Sequence, residues 1–359
     1  MHDYGLRRML MLALPKPKLR HGATGAPRKP IRLIILVGRH PNPTSDYYFA
    51  ARLTAPGMPP HQMVDISSKD FSNFDADGAF IILCRYTSPA VLRWIEQESS
   101  KLAGVGLFLD DDIPAVILGR EASIAYRMSL FFLGLMPLRR LNRHLDVVWA
   151  STPRLAERLK SAQARVLPPA PPESLWNIPH ETASGKREEL LIAYHATSIH
   201  VDEHRFLQPI IKEILAARPQ TRFEVFVGKA SVHIWHDMER VTLRQQASWS
   251  DYLAEALTRR IDIMLVPLAP SPINDCRSST KRIDVARVGA AGVFSISQAY
   301  GSPDDSGEIR LPEDQKLWRD AILTLIDSPL KRQVAVQATR NFASEMTSQA
   351  RAGLDFIST

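Results

Sequence analysis

The chain repeats one unit: a short, almost wholly apolar run followed by a polar loop and a segment of helical spacing. IRLIILV at 31–37, GAFIILC at 78–84 and VGLFL at 105–109 are the clearest runs in the first half, with a weaker one at 63–66 and VVWAS at 147–151. The second half adds LLIAY at 190–194, FEVFV at 223–227, a short VTL at 241–243, IDIMLVP at 261–267 and VFSIS at 293–297. A strand whose residues are apolar on both sides must be covered on both faces, which is the condition of a parallel sheet wrapped by helices. Strand and helix alternating in this way predict an α/β chain with doubly wound sheets. The segment after 301, SPDDSGEIRLPEDQ, reads as loop, and residues 316–356 as two or three helices.

Four of the five residues at 168–172 are proline, which neither a helix nor a central strand tolerates, so the chain divides there. With 359 residues there is material for two domains. The expected division is a basic leader without order over 1–30, a first Rossmann-like domain over 31–167, a linker over 168–189, a second Rossmann-like domain over 190–330, and a helical end over 331–359.

Charge is placed unevenly. Residues 1–32 hold eight Lys or Arg against one acid, whereas the remainder is balanced at 37 of each sign. The body of the chain therefore has no electrostatic footprint for nucleic acid, and no nucleic-acid partner is expected. MLMLALP near the start is short and runs into PKPKLR, a poor signal peptide. No apolar run reaches the length of a membrane span. Cys84 and Cys276 form neither a metal-ligand spacing nor a disulfide framework, which points to a reducing, cytoplasmic setting.

Candidate chemistry gathers where strands end. Asp110, Asp111 and Asp112 follow the run at 105–109, and three adjacent carboxylates repel one another unless a cation or a hydroxylated ligand is near. Three readings are open: binding of a hydroxylated ligand, capping of the next helix, or a divalent metal. Residues 113–145 join an apolar cluster, Phe131, Phe132, Leu133, Leu135 and Met136, to a basic end at Arg139, Arg140, Arg143 and His144. The cluster reads as the buried face of a core helix, with a helix lying on an anionic membrane as the alternative. Thr152 and Pro153 suit the cap and first position of a helix. Between 260 and 301, a strand, a polar loop, a helix and a second strand follow one another. Ser278, Ser279 and Thr280 suit the start of that helix and its N–H groups suit a phosphate. Lys281 adds a cation, and Asp284 stands on the same face to accept from sugar hydroxyls.

The block Asn274-Asp275-Cys276-Arg277-Ser278-Ser279-Thr280-Lys281-Arg282-Ile283-Asp284, with Gly289, Gly292 and Val293 after it, resembles the donor loop and helix of family 4 retaining glycosyltransferases of the GT-B fold. That pattern is Asn, one residue, Cys, Lys or Arg, Ser, two residues, Lys, two residues, Glu; here Asp284 stands in place of Glu. VVWASTPRLAERL at 147–159 resembles the last strand and helix of a GT-B first domain. The loop after 194 keeps His200, but has Val201-Asp202-Glu203 where one branch has Asp-x-Asp, and Ala196 where glycine is usual. It lacks the Arg and Lys pair with which many members grip the diphosphate, leaving Lys281, helped by Arg277, as the main cation. Gly228 and Lys229 stand where the family places base or ribose contacts.

The resemblance implies two Rossmann-like domains facing a cleft, with the helical end over 331–359 packing back on the first. It also implies transfer of a sugar from a nucleotide-sugar donor to a hydroxyl of a glycan or lipid-linked acceptor, with retention, in polysaccharide biosynthesis. Lys281, Asp284 and Asp111 are the expected catalytic residues. The donor would be held by His200, Gly228, Lys229, Asn274, Arg277, Ser278, Ser279, Thr280, Lys281 and Asp284, and the acceptor by Asp110, Asp111 and Asp112. No resident cofactor and no metal are expected, and the place of action is the cytoplasm or the inner face of a membrane. The rival reading is a degenerate GT-B-like protein that binds a nucleotide or glycan without transfer, favoured by Asp284 and by the missing cation pair.

Overall fold

The computed structural model describes residues 14–119, 122–179, 189–196 and 200–354. They form two compact units: Met1–Ala170 with Cys276–Ser278 and Ser348–Thr359, and Pro171–Asp275 with Ser279–Thr347.

The first unit runs β1 (Leu33–Gly38), α1 (Pro43–Tyr48), α2 (Ala50–Leu53), β2 (His61–Asp65), β3 (Ala79–Cys84), α3 (Pro89–Glu98), β4 (Gly104–Leu109), α4 (Ile113–Leu118), α5 (Ile124–Leu130), a π turn (Phe131–Leu135), α6 (Leu138–Leu141), β5 (Val147–Ala150), α7 (Pro153–Arg158) and β6 (Arg165–Val166). Its sheet is parallel throughout, in the order β2-β1-β3-β4-β5-β6. β3, β4 and β5 are buried at every position, as their unbroken apolar sequences require. Small residues let large ones close over the sheet: a Cβ on Gly106 would collide with the Trp149 ring. Proline and a polar cap start the helices together. Asn42, Ser88 and Thr152 accept from the third residue on, with Pro43, Pro89 and Pro153 at the first helical position.

The second unit runs β7 (Leu190–Tyr194), α8 (Val201–Ala217), β8 (Thr221–Phe226), β9 (Val241–Arg244), α9 (Trp249–Thr258), β10 (Ile263–Val266), α10 (Lys281–Arg287), β11 (Ala291–Ser295), β12 (Ile309–Leu311), α11 (Gln315–Asp327) and α12 (Pro329–Ser348). Its parallel sheet has the order β12-β11-β10-β7-β8-β9. Alternate residues feed opposite faces. Ile192, Ile263, Leu265 and Val293 join Trp318, Leu207 and Trp235 in one core, while Ala193, Met264, Val266 and Phe294 join Val285 and Ala256 in the other. Each unit is thus a doubly wound α/β layer structure.

Three stretches depart from the sequence reading. Residues 14–30, expected to lack order, are tied down: Arg20 N donates to the Leu145 carbonyl, and the Arg20 and Arg28 guanidinium groups reach Asp146 at 2.6 and 3.1 Å. Residues 1–13 lie outside the described part. The supposed loop after 301 contains β12, whose buried Arg310 is neutralised by Glu308 and Asp304. The apolar cluster of 131–136 is split. Leu135 is buried, whereas Phe132 and Met136 are half exposed, so the expectation of a buried face holds for only one side of the segment.

Candidate functional site

In the second sheet the chain winds one way from β7 to β9 and then returns to place β10 on the other flank of β7. At such a switch point the loops after the two adjoining strands part, and a crevice opens at their carboxyl ends. The loops here follow β7 and β10. Glu203, in the first turn of α8, ties them together. Its Oε1 faces His200 Nδ1 at 3.2 Å, and accepts from the Ala269 backbone N–H at 3.2 Å and from Asn274 Nδ2 at 3.4 Å. Burial alone would raise the Glu203 pKa, but the His200 and Ala269 hydrogen bonds outweigh it and keep the carboxylate below its usual range. Asn274 also donates to the Ala269 carbonyl at 2.8 Å, closing the loop on itself. Two expected donor residues, His200 and Asn274, are therefore brought together by a third that sequence reasoning did not nominate.

α10 begins beyond the same loop. Lys281 Nζ lies 2.9 Å from Asp284 Oδ2, and Arg287 donates to Asp284 Oδ1 at 3.1 Å. Asp284 is buried, while the Lys281 side chain keeps 38% of its surface in solvent. The carboxylate thus anchors a reachable cation in the helix's first turn. Arg287 is fully buried, donates to the Leu175 carbonyl at 2.7 Å, and lies over the rings of Trp249 and Tyr252. The serine-rich start differs from expectation. Thr280 occupies the cap position without a side-chain capping bond, and backbone bonds from Arg282 to Ser279 and from Ile283 to Thr280 close the turn instead.

His195, the first residue after β7, stacks on Phe226 at the end of β8, with ring centroids 4.1 Å apart and planes 10° from parallel. Its Nε2 meets Glu224 Oε1 at 2.9 Å. Burial pushes the His195 pKa down, so the ring is neutral at pH 7. Burial would raise Glu224, yet hydrogen bonds from His195 and Arg259 hold it at about 2. Gly228 and Lys229 stand apart from this chemistry. Gly228 closes a turn with Ser231, and Lys229 is exposed.

The first sheet has its own switch point, between β1 and β3. Arg85, immediately after β3, adopts φ +70°, a conformation rare for a side-chain-bearing residue. From there its guanidinium reaches Asp110 Oδ1 at 2.8 Å and Asp111 Oδ2 at 2.5 Å. Thr44 Oγ1 donates to the other Asp110 oxygen at 2.9 Å. Burial raises the Asp110 pKa, with Arg85 opposing and Asp111 adding to the rise. Asp112 turns away and accepts from Ala115 N at 3.2 Å as the cap of α4. Of the three readings, helix capping holds for Asp112 alone, and Asp110 and Asp111 form a carboxylate couple paired with Arg85. Among the described residues, no group of three or more His, Cys, Asp or Glu is arranged to hold a metal ion.

Cys276–Ser278 count with the first unit. Thr152 Oγ1 donates to the Cys276 carbonyl at 2.9 Å, and Ser278 Oγ lies 2.5 Å from the Tyr48 hydroxyl. Arg277 Nε is buried without a hydrogen-bond partner among the described residues.

Of the residues that sequence reasoning missed, Arg85 and Arg287 carried a faint signal. Arg85 is the first residue past a buried strand, and Arg287 lies three residues beyond Asp284. Glu203 was visible only as a departure from the family's His-Asp-x-Asp.

No protein-family model matches the chain, and no curated protein matches it. Solved structures do. A UDP-forming α,α-trehalose-phosphate synthase from Burkholderia xenovorans aligns at TM-score 0.56 and 12% identity, over 91% of this chain and 98% of that one. Sucrose-phosphate synthase from Thermosynechococcus elongatus aligns at 0.52 and 12%, over 89% and 96%. Anabaena HepE in complex with UDP aligns at 0.53 and 11%, over 90% and 98%. At such identities the likeness is one of fold, and with two six-stranded parallel sheets wrapped by helices the chain has the two-domain α/β fold of GT-B glycosyltransferases.

Proposed function

We propose that this protein transfers a glycosyl unit from a nucleotide-sugar to a hydroxyl group of a glycan or lipid-linked acceptor, with retention and without an essential metal, at or near the inner face of a membrane. The observation that carries the reading is Lys281, held by the buried Asp284 at the start of α10 while its side chain keeps 38% of its surface in solvent. A fixed cation there would stabilise the diphosphate as it leaves. The fold likeness to Anabaena HepE, solved with UDP, supports a uridine nucleotide as the first donor to try.

In the reaction the bond between the anomeric carbon and the diphosphate oxygen breaks, its electron pair going to that oxygen, where Lys281 meets the charge. Arg277 and the Ser278, Ser279 and Thr280 backbone would assist at the phosphates. The acceptor oxygen bonds to the anomeric carbon, and its proton passes to the departing phosphate oxygen. Asp284 would act by fixing Lys281 and by offering remaining lone pairs to a donor hydroxyl. His200 and Asn274, locked through Glu203, would border the sugar or phosphate. Asp110 and Asp111, fixed by Arg85, would take acceptor hydroxyls. Gly228 and Lys229 would meet the base or ribose, if at all, from the surface.

A second reading is a protein that binds the nucleotide without turnover. It is favoured by Asp284, whose two oxygens are already engaged by Lys281 and Arg287. Calorimetric titration with UDP, GDP, ADP and their sugars, with and without EDTA, tests both readings when repeated on Lys281→Ala. Binding that ignores EDTA and weakens at least tenfold in the variant supports the donor site. Release of nucleoside diphosphate with an acceptor panel then separates transfer from mere binding. Tight binding unaffected by Lys281→Ala would sink the proposed site.

A further inference from the structure

The segment from α5 through the π turn to α6 seats one face and leaves the other bare. Leu130, Leu135, Leu138 and Leu141 are buried, and the Leu133 carbonyl accepts from Thr87 N at 2.9 Å. On the outside, Ile124 is 78% exposed, and Met128, Phe132 and Met136 are each about half exposed. These four are spaced by four residues. On a plain α-helix, steps of four overrun each turn by about 0.4 residue, so three steps would carry the stripe roughly one residue round the helix. The π turn, closed by the bond from Met136 N to the Phe131 carbonyl at 2.9 Å, takes up about one extra residue and brings Met136 back into line. The local backbone thus keeps the apolar side chains on one outward ridge.

The flanks of that ridge are basic. From 122 to 145 there is no Asp or Glu. Arg39 is exposed and donates to Ser129 Oγ at 3.2 Å, which places it beside the middle of the ridge. Arg139 and Arg143, just past Met136, are exposed and make no ion pair among the described residues, whereas Arg140 is taken by Glu96. Lys18 is exposed on a length of chain held by Asn142, whose Oδ1 accepts from Lys18 N at 3.0 Å, while the Lys16 side chain lies toward Asp112.

We infer that this ridge is a docking surface for an anionic lipid bilayer, with Ile124, Met128, Phe132 and Met136 entering the headgroup boundary and Arg39, Arg139, Arg143 and Lys18 meeting lipid phosphates. Charge complementarity selects that occupant: an apolar stripe whose rim carries Arg39, Arg139, Arg140, Arg143 and Lys18 against the single acid Glu96 among the described residues suits a negatively charged surface. A second copy paired about a two-fold axis would set the same rim against itself, arginine facing arginine. The docking does not depend on the sugar-transfer reading. If both hold, the first unit presents Asp110 and Asp111 to an acceptor carried on a lipid.

The test is co-sedimentation of the full chain with vesicles of phosphatidylcholine alone or mixed with phosphatidylglycerol. The variants are Met128→Ser with Phe132→Ser, Arg139→Glu with Arg143→Glu, and Leu330→Ser as an exposed apolar control on the second unit, with folding checked by circular dichroism. The expected result is binding only to the anionic vesicles, weakened by salt, reduced about tenfold or more by either ridge pair and unchanged by Leu330→Ser. Three outcomes would overturn the inference. One is no binding of the parent chain to anionic vesicles. Another is binding that survives both ridge pairs and so belongs elsewhere, for example to the basic residues before 14. The last is concentration-dependent dimerisation abolished by Phe132→Ser, which would assign the ridge to a second copy.

Discussion

Lys281 Nζ stands 2.9 Å from Asp284 Oδ2, one helical turn further along α10, and the other oxygen of the same carboxylate holds the buried Arg287. One acid therefore serves two cations of different kinds, one facing solvent and one inside the protein.

Removing the acid and removing the exposed cation should consequently differ. Asp284→Asn leaves the Arg287 charge buried without its counter-ion and is expected to cost about 3 kcal/mol of stability. Lys281→Ala is expected to cost less than about 1 kcal/mol, since the pair is partly solvated on that side, while lowering nucleotide affinity at least tenfold. Urea unfolding and calorimetry on both variants check this. A Lys281→Ala protein as unstable as Asp284→Asn would contradict it.

Arg85→Leu should expose the repulsion between Asp110 and Asp111. The pair would lose the guanidinium that both carboxylates share, at a cost of about 3 kcal/mol at pH 7. Asp110 is already raised by burial, and the variant raises it further. A carboxyl with a raised folded-state pKa gains stability as pH falls, so the deficit should shrink as pH approaches the ordinary aspartate value of 3.8. Melting curves at neutral and mildly acid pH, variant against parent, give the comparison. Arg85→Lys should rescue only partly, because an ammonium cannot fork between two carboxylates.

His204 sets a second pH dependence. Its Nδ1 accepts from Trp235 Nε1 at 2.8 Å, and burial, helped by nearby His200, lowers its pKa to about 4. The unfolded chain takes up the proton near 6.5, so this contribution is full above 6.5 and is lost as pH falls from 6.5 to about 4. The whole gap amounts to about 3 kcal/mol. His204→Gln keeps an acceptor for Trp235 and should flatten the stability profile in that window; an unchanged slope would mean that other groups govern it.

Gly106→Ala tests the tight seam of the first sheet. The added methyl meets the fully buried Trp149 ring, and the expected cost is about 1–3 kcal/mol, read from the denaturation midpoint. Gly57→Ala has open space but a φ of +83°, so it should be destabilising through backbone strain alone, by about 1 kcal/mol.

The strands that need burial on both faces were legible from the sequence, because covering them leaves no room for polar residues. β6 and β12 were not. The first is two residues long, and the second hides an arginine whose neutralising partners, Glu308 and Asp304, become evident only when the chain has turned. The Lys281 and Asp284 spacing was readable as one helical face. That Asp284 would be shared with Arg287 was not, since Arg287 shows its role only through its burial against Leu175 and Trp249. Glu203 and Arg85 share that fate: each matters for the loops it joins. For the ridge, periodicity identified an amphipathic segment but not the side that faces inward, and the π turn that keeps Met136 in line has no sequence signature.

Arg20 and Arg28 bracket Asp146, which is fully buried and also accepts from Val105 N at 2.9 Å. A chain shortened to start at residue 31 would keep every described strand and still be wounded. Among the described residues the carboxylate at the foot of β4 and β5 would keep only the Val105 amide as a hydrogen-bond donor, with His144 nearby, and the sheet would lose its clasp at the end remote from the aspartate couple. The first unit's working boundary therefore falls upstream of Arg20, among residues that composition alone would have trimmed away.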